Sequence, residues 1–242
     1  MSEIHSQWLN LRADLRAWYA RPVAAGPHPA VVVFIEAFGV NPHFQEVAER
    51  LARAGYCAIV PDIYHGKVYE YTDFPTAIAH LKSLDDQQVM AETAIALDAL
   101  GERAEVRKDA IGALGFCMGG RYAFMANAIH AQRLAATVAF YGGGIAPEKD
   151  AVGREPLLHL APQMQAPLLL LYGAKDSSIQ PDEHGRIASA LSAADKRYTL
   201  TVFPDAGHGF FSDRRDSYHE AAAREGWRLT LDHYARYLDG QA

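Results

Sequence analysis

Short apolar runs recur along this chain: Val31-Val32-Val33-Phe34-Ile35, Cys57-Ala58-Ile59-Val60, Ile111-Gly112-Ala113-Leu114-Gly115-Phe116, Ala135 to Tyr141, Leu168 to Tyr172, and Tyr198 to Phe203. A strand with one wet face alternates apolar and polar side chains, whereas these runs lack strong alternation. Strands of that kind need both faces covered, the condition of a parallel sheet with helices on each side rather than of a sandwich. The expectation is an α/β fold with a mostly parallel central sheet of about 7–8 strands. Each run is far shorter than the roughly 20 apolar residues that a membrane helix needs, so no membrane partner is expected.

Helical patterns fill the gaps. Asn41 can cap a helix opening with Pro42, in which Phe44, Val47, Ala48 and Leu51 follow helical spacing and Gly55 marks the end. Met90, Ala94 and Leu97 form a sparser stripe, and Ala223, Trp227, Leu231 and Tyr234 form another near the C-terminus. Upstream, Leu9 to Leu15 and Ala17 to Ala20 read as an antiparallel entry hairpin. Two long loops, Asp62 to Thr76 with its aromatics and the glycine-rich Gly142 to Met164, follow strand ends, where open α/β sheets place ligands. No linker, repeat or low-complexity segment interrupts residues 1–242, which are expected to form a single domain.

Composition narrows the function classes. With 50% hydrophobic and 21% charged residues, a chain of 242 residues can bury a full core. Basic residues number 23 against 29 acidic ones, for a net charge of -6, the wrong balance for a protein that binds nucleic acid through phosphates. The two cysteines, Cys57 and Cys117, are too few for a disulfide framework and lie in apolar segments. With a start at Met1-Ser2-Glu3 that lacks the pattern of a signal peptide, this predicts a cytoplasmic protein; monomer and small homo-oligomer both stay open. The 11 histidines include no helical metal-binding spacing, so no metal is expected, and Gly142-Gly143-Gly144 lacks the ending of a phosphate loop.

Gly115-Phe116-Cys117-Met118-Gly119-Gly120 carries the chemistry. It follows an apolar strand and precedes the helix-like Arg121 to Ala126. A nucleophile elbow needs small residues two positions either side of the nucleophile, because the turn presses its backbone against the neighbouring strand and helix. Here the nucleophile position holds Cys117, whose thiolate a helix N-terminus favours, and the Met118 N–H would face a developing oxyanion. Alone, the pattern also suits a structural cysteine in a glycine-rich turn. Asp176, after the Leu168 to Tyr172 strand, and His208, in Asp205-Ala206-Gly207-His208-Gly209-Phe210, supply an acid and a base. Nucleophile, acid, histidine is the chain order of α/β-hydrolases.

These segments, with Glu36-Ala37-Phe38-Gly39-Val40-Asn41, Pro61-Asp62, Tyr172-Gly173-Ala174-Lys175-Asp176 and Gly207-His208-Gly209-Phe210-Phe211 followed by Arg215 and Tyr218, resemble the dienelactone hydrolases (carboxymethylenebutenolidases) of the α/β-hydrolase fold. The resemblance spans nearly the whole chain. It implies a Cys117–His208–Asp176 triad that forms a thioester with a lactone or ester carbonyl, with no cofactor. It also implies that Glu36 contacts the resting thiol and takes its proton, and that the Ala37 N–H completes an oxyanion hole with Met118. Candidate substrate contacts are Phe38, Tyr64, Tyr141, Phe210 and Arg215, Tyr141 matching a tyrosine that lines the family's pocket. Members that act on dienelactone hold its carboxylate with two arginines, one after the second strand and one after the histidine. This chain has no arginine from Asp62 to Ala99, only Lys67 and Lys82, and Arg214 and Arg215 follow His208 at a different offset. The expected activity is hydrolysis of a lactone or small carboxylic ester. The alternatives are a broader esterase or thioesterase taking uncharged acyl groups, and a non-catalytic binding or thiol-sensing module.

Overall fold

The computed structural model describes residues 2–148, 150 and 153–240, so Met1, three positions of the Gly142 to Met164 loop and positions 241 and 242 lie outside the described residues. Its strands are β1 (Ile4–Arg12), β2 (Leu15–Pro22), β3 (His28–Phe34), β4 (Cys57–Pro61), β5 (Val106–Phe116), β6 (Ala136–Phe140), β7 (Leu168–Gly173) and β8 (Tyr198–Phe203). They form one 8-stranded sheet in the order β1-β2-β4-β3-β5-β6-β7-β8. Every pair from β4 to β8 is parallel, and β1 and β2 join antiparallel at one edge. The helices are α1 (Pro42–Arg53), α2 (Phe74–Ser83), α3 (Asp86–Gly101), α4 (Met118–Ile129), α5 (Pro181–Ala193) and α6 (Glu220–Tyr237), with a 3-10 turn at Leu158–Gln163.

Successive residues of β4, β6 and β7 are buried, so both faces of the central sheet are covered, as the apolar runs require. The exception is β8, an edge strand on which Thr199 and Val202 are exposed. The α1 start is as expected: the Asn41 side chain accepts from the Phe44 N–H and Pro42 stands at the first turn. The buried face of α6 runs through Ala223, Gly226, Thr230 and Tyr234, with Trp227 and Leu231 at its margin.

The entry hairpin differs from expectation. Its turn falls at Ala13 and Asp14, not at Arg16, so Leu15 belongs to the second strand and the first reaches back to Ile4. Two interactions hold this register: Trp8 faces Trp18 edge to face at 5.5 Å, and Arg12 pairs with the turn residue Asp14 at 2.7 Å. The loop expected to reach Thr76 ends at Phe74, where α2 begins, and α5 was not expected at all. A sequence signal for α5 existed: Gln180 and Glu183 form a capping box around Pro181, and Ile187 and Leu191 lie four residues apart. No described helix is long and apolar enough to cross a membrane.

Candidate active site

Cys117 joins β5 to α4 in a backbone conformation, φ 56° and ψ −119°, that a non-glycine residue adopts only when its surroundings enforce it, at a cost of about 1–3 kcal/mol. What enforces it is close backbone approach. A Cβ on Gly115 would run into the Gly119 carbonyl, and one on Gly119 would run into the carbonyls of Phe34 and Ile35. The Cys117 N–H donates to the Phe140 carbonyl at 3.0 Å, which ties the turn to β6. Met118, the first residue of α4, has an N–H at the helix N-terminus, where the chain supplies no intrahelical acceptor.

The expected acid and base converge on this turn. Asp176, just beyond β7, is buried, and its Oδ1 accepts from the N–H groups of Ser178 at 2.8 Å and Ile179 at 3.2 Å. Its Oδ2 accepts from His208 Nδ1 at 2.8 Å, and His208 Nε2 lies 3.0 Å from Cys117 Sγ. Burial disfavours charge on this imidazole, but the sulfur and the Asp176 carboxylate outweigh it, and its pKa is pushed up to about 10. The imidazolium then donates on both sides, to carboxylate and to sulfur.

The hydrogen bonds of Glu36 among the described residues are to Tyr141 and Arg215, while the thiol sulfur faces His208. Glu36 is fully buried just past β3, where Oε1 accepts from the Tyr141 hydroxyl at 2.9 Å and Oε2 pairs with Arg215 Nη1 at 3.2 Å. A buried carboxylate needs a cation and a donor, and Arg215 and Tyr141 supply them. Glu36 in turn raises the Arg215 pKa against the opposing effect of burial, and, with burial, the Tyr141 pKa. The Arg215 guanidinium also lies over the rings of Phe38 at 5.5 Å and Tyr71 at 5.8 Å. Arg214 points elsewhere and pairs with Glu46 on the exposed side.

Beside the sulfur lies a cavity of about 480 Å³. Of the expected site residues, Ala37, Phe38, Cys117, Met118, His208 and Arg215 line it. Tyr64, Tyr141 and Phe210 do not; they pack behind its wall, Tyr64 stacked on His80 at 4.1 Å and Tyr141 edge to face with Phe210 at 5.0 Å and His208 at 5.2 Å. Both long loops contribute to the rim, through Phe74 on one side and Gly143, Gly144, Pro147 and Arg154 on the other. Phe74, one of the aromatics of the expected Asp62 to Thr76 rim loop, lines the cavity, and so do Ile78, Leu81, Arg154, Glu183 and Arg186, which the sequence did not single out. The first three had a signal in their spacing along one helical face; the last three carry no local signature.

A mostly parallel sheet with a strained elbow on its middle strand, and an acid and a histidine after later strands, defines an α/β-hydrolase-like fold. The chain belongs to the dienelactone hydrolase family, whose sequence pattern matches residues 15–238, and it is a dienelactone hydrolase-like hydrolase. A Salmonella typhimurium protein named "Putative carboxymethylenebutenolidase" is 37% identical over 231 residues, covering 93% of this chain and 83% of its own. A Bradyrhizobium protein named "Probable 2-oxo-3-(5-oxofuran-2-ylidene)propanoate lactonase" is 34% identical, over 93% of this chain and 90% of its own. The crystal structure of a "Putative Dienelactone Hydrolase" from Klebsiella pneumoniae superposes with a TM-score of 0.89 at 36% identity, covering 97% of this chain and 100% of that one.

Proposed function

We propose that this chain hydrolyses a lactone or small carboxylic ester through a covalent thioester on Cys117. The observation that supports it most directly is the relay of Cys117 Sγ to His208 Nε2 at 3.0 Å and His208 Nδ1 to Asp176 Oδ2 at 2.8 Å. The Cys117 thiolate, paired with the His208 imidazolium, attacks the substrate carbonyl carbon. The carbonyl oxygen takes the electron pair and is held by the N–H groups of Met118 and Ala37. As the tetrahedral species collapses, the C–O bond to the leaving group breaks and His208 Nε2 gives that oxygen its proton. Water then attacks the thioester, losing a proton to His208; collapse expels the thiolate and restores the starting pair. Asp176 holds the ring and offsets its charge throughout.

Glu36 serves this cycle by fixing Arg215 in the cavity lining and Tyr141 behind its wall, through one hydrogen bond from each. The test is steady-state hydrolysis of a dienelactone and of an uncharged p-nitrophenyl ester by the protein and by Cys117→Ala, with intact-mass spectrometry for an acyl adduct. The expected result is an adduct on the unmodified chain and a loss of at least about a thousandfold in the variant. Retention of most activity by Cys117→Ala overturns the assignment. No turnover and no adduct, with reversible binding of the lactone, would make the chain a binding module instead.

A further inference from the structure

The cavity beside Cys117 is chemically lopsided, and the sheet order gives that asymmetry a direction. Cys117 ends β5; β7 and β8, which bring Asp176 and His208, lie on one side of it, and β4, which leads into α2, lies on the other. A leaving group that takes its proton from His208 Nε2 sits on the β7 and β8 side. The acyl group then points toward α2. That wall is made of Phe74, Ile78 and Leu81, spaced at i, i+4 and i+7 along one face of α2, with Phe38 and Met118 beside them. Phe74 is 53% exposed, an apolar ring left in water at the mouth of the cavity, 6.4 Å from the Phe38 ring.

Most of the positive charge in the cavity is already paired. Each arginine that lines it has its own carboxylate: Arg215 pairs with Glu36 at 3.2 Å, Arg186 with Asp182 at 2.5 Å and Arg154 with Asp150 at 3.5 Å. Glu148 and Glu183 add negative charge to the same lining, and Lys67 and Lys82 are not part of it. Each guanidinium among the described lining residues already faces a carboxylate, so a substrate carboxylate would gain little for its desolvation; only the Arg154 Nε and Nη1, which lack a hydrogen-bond partner among the described residues, keep donors to offer. An alkyl or aryl acyl group would instead displace water from Phe74 and Ile78.

We infer that the α2 wall is the acyl subsite, that Phe74 and Ile78 set specificity, and that the substrate is an ester or lactone whose acyl part is uncharged and apolar. This deepens the cysteine-hydrolase reading and rests on it. The test measures kcat/KM for p-nitrophenyl acetate, butanoate and hexanoate, and for the similarly sized pair p-nitrophenyl pentanoate and mono-p-nitrophenyl succinate, with Cys117→Ala as the background for each. The expected result is a rise of up to about fourfold per methylene buried, with pentanoate well ahead of the succinate. Phe74→Ala should lower the hexanoate-to-acetate ratio by about tenfold. Ile78→Arg, at a half-buried position that tolerates a long side chain, should shift preference toward the succinate by about tenfold or more.

A succinate preference in the unmodified protein that Arg154→Gln abolishes would overturn the inference. It would place the carboxylate on Arg154, whose Nε and Nη1 are buried without a hydrogen-bond partner among the described residues. Flat chain-length dependence unaffected by Phe74→Ala would overturn it too, while leaving the nucleophile assignment intact. Absence of any Cys117-dependent turnover would overturn the underlying reading, and this one with it.

Discussion

At the scale of single residues, the site is defined by where protons reside. An exposed histidine titrates near 6.5, whereas His208, between a sulfur and a carboxylate, titrates at about 10 despite its burial. Because the folded chain binds this proton more tightly than the unfolded chain, the contact contributes its full stabilisation below pH 6.5 and loses it as pH rises through about 10. The denaturation midpoint of the protein should therefore fall across that window relative to His208→Gln, and the His208 ring protons should shift in NMR with a midpoint near 10. A constant stability difference between the two proteins, with no ring titration above neutrality, would mean a neutral imidazole hydrogen-bonded to a thiol. The identity of these residues was legible because Cys117, His208 and Asp176 each follow an apolar strand in an order few catalytic folds share. The partners of Glu36 were not: Tyr141 and Arg215 lie 105 and 179 residues away along the chain, and only the fold brings them to one carboxylate.

At the scale of elements, the elbow works because β5 and α4 approach β3 without side chains between them. Gly119 is where α4 meets β3, since a Cβ there would reach the Phe34 carbonyl and come within 2.6 Å of the Ile35 carbonyl. Gly119→Ala should therefore push α4 off β3, cost about 1–3 kcal/mol in urea denaturation, and lower activity further by moving the Met118 N–H. Gly101→Ala is the matched control: near the end of α3, with no atom within 4 Å of the added Cβ, it should leave stability unchanged or raise it by about 0.5–1 kcal/mol. Equal losses in the two variants would show that helix propensity, not the close approach, is being measured. Elements buried on both faces declared themselves in the sequence, as β4, β6 and β7 did, because continuous apolar runs have few other uses. Those at the margin did not. β1 has one wet face, and α2 buries only Ala77 and Leu81, so its apolar residues look scattered until the cavity on their other side is seen.

At the scale of the whole molecule, the carboxyl ends of the strands gather loops that meet nowhere else, and the buried Glu36–Arg215 pair ties two of them together. Glu36 extends from β3 at the centre of the sheet, and Arg215 lies in the segment between β8 and α6, folded against Gly209. The general architecture could be read from strand runs, but this tie could not, because pairing at such separation has no local pattern. Its energetics follow from burial: Glu36 is wholly enclosed and Arg215 keeps 17% of its side chain in contact with solvent. Removing the cation strands a carboxylate among apolar groups, so Arg215→Met should destabilise the protein by about 3–5 kcal/mol. Neutralising both partners removes the stranded charge, so Glu36→Gln in that background should restore much of the loss while Glu36→Gln alone costs less than Arg215→Met. A double-mutant cycle from urea denaturation measures this directly. Additive losses would mean that the two residues act separately and that the loops are held by packing around Phe38, Tyr71 and Phe210 instead.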